Sequence, residues 1–400
     1  MAGPLAGIRV VELGFWVAGP GAAGILADWG AAVIKLEPPD GDPMRGMFHQ
    51  AAGVSVDANP PFELDNRGKR SLCLNLQHAD GRAIVQRLLA EADVFVTNVR
   101  RPALVRFGLD YESVRHAHPR LVYCHLTGYG TEGDDADRPA YDIGAYWSRA
   151  GIAWSLTPPG GTLPQQRGGM GDHTAALSAV GAINAALVAR GRTGEGQLVT
   201  TSLLRTGMYV LGWDLSIRLR FGKVAPPTTR FDVPNPMINC YRAADQRWFW
   251  LLGLQGDRHW PDVLRAIDRP DLGADPRFVD MRSRRENALQ LVPILDEIFT
   301  SKPLAEWSPI FNRENVWWAP VQSPDEVVAD PQVRAAVGIV TTPTADGVTE
   351  SVASPADFSA DCREPSAPAP ELGQHSEEIL LELGYDWEQI GALRESGALP

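Results

Sequence analysis

From its first residues the chain alternates short runs of branched apolar residues with small helical stretches, and this alternation restricts it to a parallel sheet covered by helices. "GIRVVEL" reads as a buried strand, "GAAGILADWG" as a helix closed by Gly30, and "AAVIKLE" as the next strand. The unit recurs as "SLCLNL", the helical "HADGRAIVQRLLAEA" and "DVFVTN", and again where "YESVRHAHPR" leads into "LVYCHLT". Parallel neighbours need such long crossovers. The expected fold class is α/β, with a large doubly wound, Rossmann-like domain and a smaller α+β domain.

The boundaries follow from composition. An alanine-rich stretch from 172 to 190 carries Leu177, Val180, Ile183, Leu187 and Val188, stops at Gly191, and predicts a buried helix. A further helix is expected from Ser202 to about Phe221. "GKVAPPTTRFDVPNP", 222–236, is Pro-rich and polar, the signature of a connection. Residues 1–221 therefore form the first part of the large domain, and 237–335 form the small one. The latter should hold a hairpin ("MINCYRA" and "RWFWLLG"), helices near 258–267, 282–299 and 303–313, and a strand around "NVWWAPVQ". Residues 336–400 are expected to return to the large domain, ending in two short helices separated by Gly384.

With 400 residues, 44% hydrophobic and 22% charged, the chain exceeds what one core usually organises. No stretch approaches the ~20 uninterrupted apolar residues of a membrane span, and "MAGPLAGIRVVEL" lacks the zones of a signal peptide. A cytoplasmic protein without a membrane partner is expected. A formal charge of −12 argues against nucleic acid as a partner, which demands a concentrated positive face. Cys73, Cys124, Cys240 and Cys362 form no C-x-x-C pair and read as small buried hydrophobes, and no metal site is expected.

Gly19, Gly21 and Gly24 spell G-x-G-x-x-G between a strand and a helix, with Glu37 ending the next strand, which is the dinucleotide fingerprint in form. Pro20 inside the turn and the lack of a second matching half favour tight strand-to-helix packing instead. In "GGMGDHTAAL", Asp172 opens an alanine-rich helix and reads either as a helix cap or as a nucleophile. Two basic clusters suit an anionic ligand: Arg67, Lys69 and Arg70, then Arg100, Arg101 and Arg106. Trp16, Tyr146, Trp147 and Trp154 offer apolar surface for a hydrophobic group. His173 projects about 100 degrees from its predecessor and is assigned packing or capping. His125, in a strand, is read as a satisfied core residue.

"GIRVVELGFWVAGPGAAGILADWGAAVIKLEPPDGDPMRG" resembles the opening of the class III CoA-transferase family. "NRGKRSL", "ADVFVTNVRRPALVRFGLDYE", "HPRLVYCHLTGYGTEG", the Gly-Asp pair at 171 and 172, "RTGEGQLVTTSLL" and "LGQHSEEILLELGY" extend the likeness over nearly the whole chain. The resemblance implies a large domain built from both ends of the chain and an interlocked homodimer. It implies that Asp172 takes an acyl group from a CoA thioester, with CoA as co-substrate, no tightly bound cofactor, and acyl-CoA and a free carboxylic acid as partners. A helix N-terminus should keep Asp172 ionised, and Gly168, Gly169 and Gly171 leave room for the carbonyl.

Related transferases carry a CoA-contacting basic residue where Arg106 stands, and the likeness adds Val17, Ala18, Arg67, Lys69, Arg70 and Asn98 to the expected CoA-binding set. Val17 replaces the glutamine of the formyl-CoA:oxalate branch, whose glycine-run lid is absent here. Racemases of the family carry a His-Asp pair where this chain has Tyr141 and Asp142. A phenol is a poor base at neutral pH, so Tyr141 is assigned to hydrogen bonding in a transferase site, with packing as its other role. The alternatives are a 2-methylacyl-CoA racemase, another CoA-thioester enzyme, a catalytically silent CoA-binding subunit, and a nicotinamide-dependent oxidoreductase.

Overall fold

The computed structural model describes residues 3–52, 58–359, 365 and 367–400. Six strands, β1 (Arg9–Leu13), β2 (Ala32–Glu37), β3 (Arg70–Cys73), β4 (Val94–Thr97), β5 (Val122–Thr127) and β6 (Leu198–Ser202), form one sheet in the order β3-β2-β1-β4-β5-β6. Every pairing is parallel. The order reverses between β1 and β4, and ligands of doubly wound sheets bind at such a switch, beyond the carboxyl ends of the strands.

Strand alternation sends side chains to two cores. Val10, Val94, Val96, Val122 and Cys124 meet the helices Ala18–Asp28 and Met170–Thr193 on one face. Val11, Leu13, Phe95 and Tyr123 meet Ile84, Val85, Leu88 and Leu89 of the helix Ala79–Glu91 on the other. That second core is completed by Ile379, Leu380, Ile390 and Leu393 from the last two helices, Ser376–Glu382 and Trp387–Glu395. The helix Met170–Thr193 is long and apolar enough by composition to cross a membrane. Its Ala175, Ala176, Ala179, Val180 and Ile183 are buried in the core.

Contacts divide the chain into a larger unit, Met1–Ala153, Gln165–Val224 and Gln332–Pro400, and a smaller one, Trp154–Pro164 with Ala225–Pro331. Segment 154–164, inside the stretch 1–221 assigned above to the large domain, clusters with the smaller unit. The smaller unit holds an antiparallel sheet of β7 (Ile238–Arg242), β8 (Trp248–Leu252) and β9 (Trp318–Pro320). It has its own core around Phe249, Phe299, Trp307 and Phe311.

Three local expectations change. "LVTTS" forms edge strand β6, and β10 (Ile339–Thr344) pairs with β11 (Gly347–Val352) in a hairpin that the sequence reading lacks. The single helix expected over 202–221 is two, Leu203–Val210 and Gly212–Phe221, since Gly212 weakens continuation. Cys73 and Cys124 are buried and Cys240 is half-buried, while Cys362 lies outside the described residues.

A fully buried charge network ties β1, β2 and β3 together. Lys35 Nζ lies 3.0 Å from Glu12 Oε1 and 2.9 Å from Asp42 Oδ2. Lys69 Nζ lies 2.6 Å from Glu12 Oε2. Removing one partner strands its opposite charge in the interior, at about 3–5 kcal/mol. Lys35→Met is therefore expected to lose stability on that scale in urea unfolding, whereas Arg282→Met, which breaks only an exposed pair with Glu286, should change it by less than about 1 kcal/mol.

Candidate active site

The loop leaving β1 is held at every residue. Lys35 Nζ donates to Gly14 O at 3.1 Å. Phe15 N–H donates to Asn98 Oδ1 at 2.9 Å, and Asn98 Nδ2 returns a bond to Phe15 O at 2.7 Å. Trp16 N–H donates to Asp42 Oδ1 at 3.1 Å. Trp16 adopts φ 66, a costly conformation for a bulky residue that persists only where the surroundings enforce it. Its ring meets Tyr141 edge-on, centroids 5.8 Å apart.

The helix behind this loop explains the glycine motif. A Cβ on Gly24 would lie 2.6 Å from Asp65 O, and one on Gly19 would lie 3.1 Å from the Asn98 side chain. These glycines admit neighbouring elements of the same unit, as the packing reading expects.

A cleft of about 840 Å³ opens beyond the carboxyl ends of β1, β4 and β5, and Trp16, Asn98, His125, Thr127, Gly128 and Tyr141 are among its lining residues. A smaller cavity of about 80 Å³ shares Trp16, Asn98, Thr127, Gly128 and Tyr141 with it. The smaller one is lined also by Ala18, Leu203 and Asp172. Asp172 thus sits at the switch point of the sheet.

Asp172 is not the cap of its helix. Gly169, at φ 77, is the N-cap and Asp172 lies in the first turn. The capping contact comes from Asp142, whose Oδ2 accepts from Gly171 N–H at 3.2 Å and from Gln166 Nε2 at 2.5 Å. The π-helix Ile143–Arg149 that follows Asp142 presses against the same turn, where a Cβ on Gly171 would meet Tyr146 Cγ at 2.6 Å. Among the described residues no hydrogen bond reaches the half-buried Asp172 carboxylate.

Its acidity departs from expectation. Burial pushes the Asp172 carboxyl up to about 7, and the nearby Asp142 and Asp65 carboxylates add to the rise against an opposing pull from His173. Desolvation and like charge overcome the helix N-terminus. The expectation of a fully ionised Asp172 is corrected to a group that titrates near neutrality.

The other expected residues separate into those at the cleft and those used elsewhere. Tyr141 is 63% exposed and lines both cavities, so packing does not describe it. Ala18 lines the smaller cavity, and Val17 Cγ1 would lie 3.8 Å from a Cβ on Gly169. Asn98 faces the cleft, but its amide is committed to Phe15. Arg67 is buried, pairs with Asp28 at 2.7 Å and donates to Val352 O at 2.9 Å. Lys69 is enclosed by Glu12, Pro20 O and Asn66 Oδ1, and burial brings its amine down to about 8. Arg70 pairs with Glu378 and Glu382 at 2.8 and 2.7 Å. This cluster is corrected to a structural role, because cations in or near a core recruit carboxylates.

Arg106 is exposed over Phe107 and is not among the residues lining the cleft. Its companions Arg100 and Arg101 do line it, with Arg138, and the first two are exposed and have no carboxylate partner among the described residues. Tyr146 and Trp147 belong to the core and Trp154 is exposed. His125 is largely buried and its Nε2 lies 2.9 Å from Val99 O, as a satisfied residue should, yet it also lines the cleft.

Asp65 is the residue that the sequence reading missed. Its carboxylate, 5% exposed, lies 3.0 Å from His173 Nε2. Nothing local in "PPFELDN" marks it, because its neighbours come from a helix over a hundred positions away. His173, assigned packing or capping, does pack against Gly21 and Gly169, and its ring is also hydrogen-bonded to Asp65.

Residues 5–376 match CoA-transferase family III. The chain is 34% identical over 396 residues to the (R)-2-hydroxy-4-methylpentanoate CoA-transferase of Clostridioides difficile, covering 98% of each chain. It is 30% identical over 393 residues to the cinnamoyl-CoA:phenyllactate CoA-transferase of Clostridium sporogenes, covering 97% of this chain and 95% of the relative. The crystal structure of a CAIB/BAIF family protein from Brucella suis superposes with a TM-score of 0.84 at 30% identity, covering 96% of this chain and 100% of the other.

The raised Asp172 pKa links its protonation to stability. The folded chain holds the Asp172 proton more tightly than the unfolded chain, so stability falls as pH rises from about 4 to about 7. Asp172→Asn, neutral at every pH, is expected to be more stable than the parent by about 1–3 kcal/mol at pH 8 and equal to it near pH 4. Urea unfolding at the two pH values measures both.

Proposed function

Since the chain belongs to CoA-transferase family III and is a CoA-transferase, we propose that it passes CoA between carboxylic acids through a covalent intermediate on Asp172. The observation that carries this reading is the Asp172 carboxylate, free of hydrogen bonds among the described residues and lining a cavity at the switch point of the sheet. An oxygen of the anion adds to the thioester carbonyl, the C–S bond breaks, and CoA leaves as thiolate from a mixed anhydride. The thiolate then attacks the Asp172 acyl carbon and releases the donor acid as carboxylate, leaving an aspartyl-CoA thioester. The acceptor carboxylate displaces CoA from it, and the thiolate takes the acceptor acyl group and frees Asp172. No bond is hydrolysed.

Partial desolvation favours this chemistry, because a carboxylate stripped of water is a stronger nucleophile and the reaction needs it close to the carbonyl. At neutral pH a substantial fraction of Asp172 is already anionic. Tyr141, beside Trp16, is placed to donate a hydrogen bond to the substrate. Arg100, Arg101 and Arg138 supply the cleft's positive charge for CoA phosphates.

Trp16, Leu126, Ala140 and Leu203 give the Asp172 cavity an apolar lining that suits a branched or aromatic acyl group. The names of the two relatives, which include a branched 2-hydroxy acid and phenyllactate, support the same class. The exposed Tyr209, Trp213, Leu219 and Phe221 on Leu203–Val210 and Gly212–Phe221 support assembly with a second copy. Light scattering should then report twice the 43.5 kDa chain mass.

Incubation with 4-methylpentanoyl-CoA and hydroxylamine should add a hydroxamate at Asp172, located by peptide mass spectrometry. Asp172→Ala should lose at least about a thousandfold in turnover. A variant that retains full CoA transfer refutes the covalent role, and deuterium entering the α-carbon without CoA exchange favours a racemase. Replacing Arg100 and Arg101 together by Ala should raise KM for acyl-CoA about tenfold with kcat little changed, the loss of roughly 1.4 kcal/mol of binding.

A further inference from the structure

The acyl-transfer scheme leaves one ionisable group beside the nucleophile without a task. His173 follows Asp172 in the chain, and its ring is wedged between two glycines. A Cβ on Gly21 would lie 3.4 Å from its Cδ2, and one on Gly169 would lie 3.3 Å from Cε1 and 3.4 Å from Nδ1. Nε2 is bound to Asp65 Oδ1 at 3.0 Å. The ring is thus oriented by a buried carboxylate while 44% of the side chain stays exposed.

The charges around it are few. Asp65 comes from the helix Pro60–Asn66, Asp142 precedes the π-helix, and Asp172 shares the ring's own helix. Behind Asp65 stands Lys69, itself bonded to Glu12. The helix Ala18–Asp28 meets the ring through uncharged Gly21. Among the described residues, three carboxylates therefore gather around the His173 ring at this turn.

We propose that His173, clamped by Asp65, is a positioning residue for the reaction at Asp172, its imidazolium charge setting the acidity of the nucleophile against Asp142 and Asp65. The inference rests on Asp172 being the nucleophile. Hydrogen bonding to Asp65 favours the charged ring, and Asp172 and Asp142 reinforce it. Without that charge the carboxylates repel one another and Asp172 takes up a proton at higher pH. The ring acts as charge and not as acid, because the departing CoA must remain thiolate to attack again. The two groups titrate as a coupled pair.

The test is a carboxyl titration of the full chain labelled with carbon-13 at aspartate side chains, followed by NMR, with the Asp172 resonance assigned by its loss in Asp172→Asn. The parent midpoint is expected near 7. His173→Gln, which can still donate to Asp65, should move the midpoint up by about one pH unit. His173→Arg keeps a cation at Asp65 and should leave it within about 0.3 unit of the parent. An unmoved midpoint in His173→Gln, or equal movement in the Gln and Arg variants, overturns the proposal. Full CoA transfer by Asp172→Asn would instead remove the nucleophile assignment, while the titration would still decide whether His173 controls the acidity of Asp172.

Discussion

Glu12 lies at zero exposure near the carboxyl end of β1, and the shape of the site depends on its being neutralised there. Two lysines, Lys35 in β2 and Lys69 just before β3, bind its two oxygens. Their remaining protons reach Gly14 O and Pro20 O, on either side of the turn between β1 and its helix. Asp42, the second carboxylate of the network, accepts from Trp16 N–H. A buried ion network of this kind contributes little net stability, since desolvation offsets most of its attraction. What it supplies here is direction: the loop is fixed and Trp16 is held in a conformation it would not choose.

At Asp172 the competing effects differ in size. A helix N-terminus favours an anion by about 0.3–1 kcal/mol at exposed sites. Raising a carboxyl from 3.8 to about 7 corresponds, after solvent screening, to about 1–3 kcal/mol in the opposite direction. Burial and two neighbouring carboxylates prevail. The result suits acyl transfer, since a carboxylate that gives up its proton near neutrality is also a more reactive oxygen nucleophile than one solvated at the surface.

The same balance separates the basic residues. Arg67 and Lys69 are drawn into the larger unit, Arg70 pairs with the helix Ser376–Glu382, and all three are bonded to carboxylates. Arg100 and Arg101 stand at the cleft rim without such partners among the described residues. In a chain of net charge −12, a polyanionic ligand can be attracted only by a local concentration of cations. The two clusters look alike as strings of letters, and burial alone tells them apart.

The sequence by itself determined the α/β architecture, because runs such as "RVVEL", "AVIKLE" and "VFVT" can be buried on both faces only in a parallel sheet. It also drew attention to Asp172, as cap or nucleophile from the Gly-Asp pair at the start of an alanine-rich helix and as nucleophile through the family resemblance. Edge strand β6 and the hairpin β10-β11 escaped because short polar or threonine-rich strands carry little periodicity. The tertiary structure decided which carboxylate caps the helix, that Asp65 holds His173, that the motif glycines serve packing, and where Asp172 titrates. Each of these depends on groups far apart in the chain meeting at low dielectric, where energies are set by distance and burial, quantities that no local stretch of residues encodes.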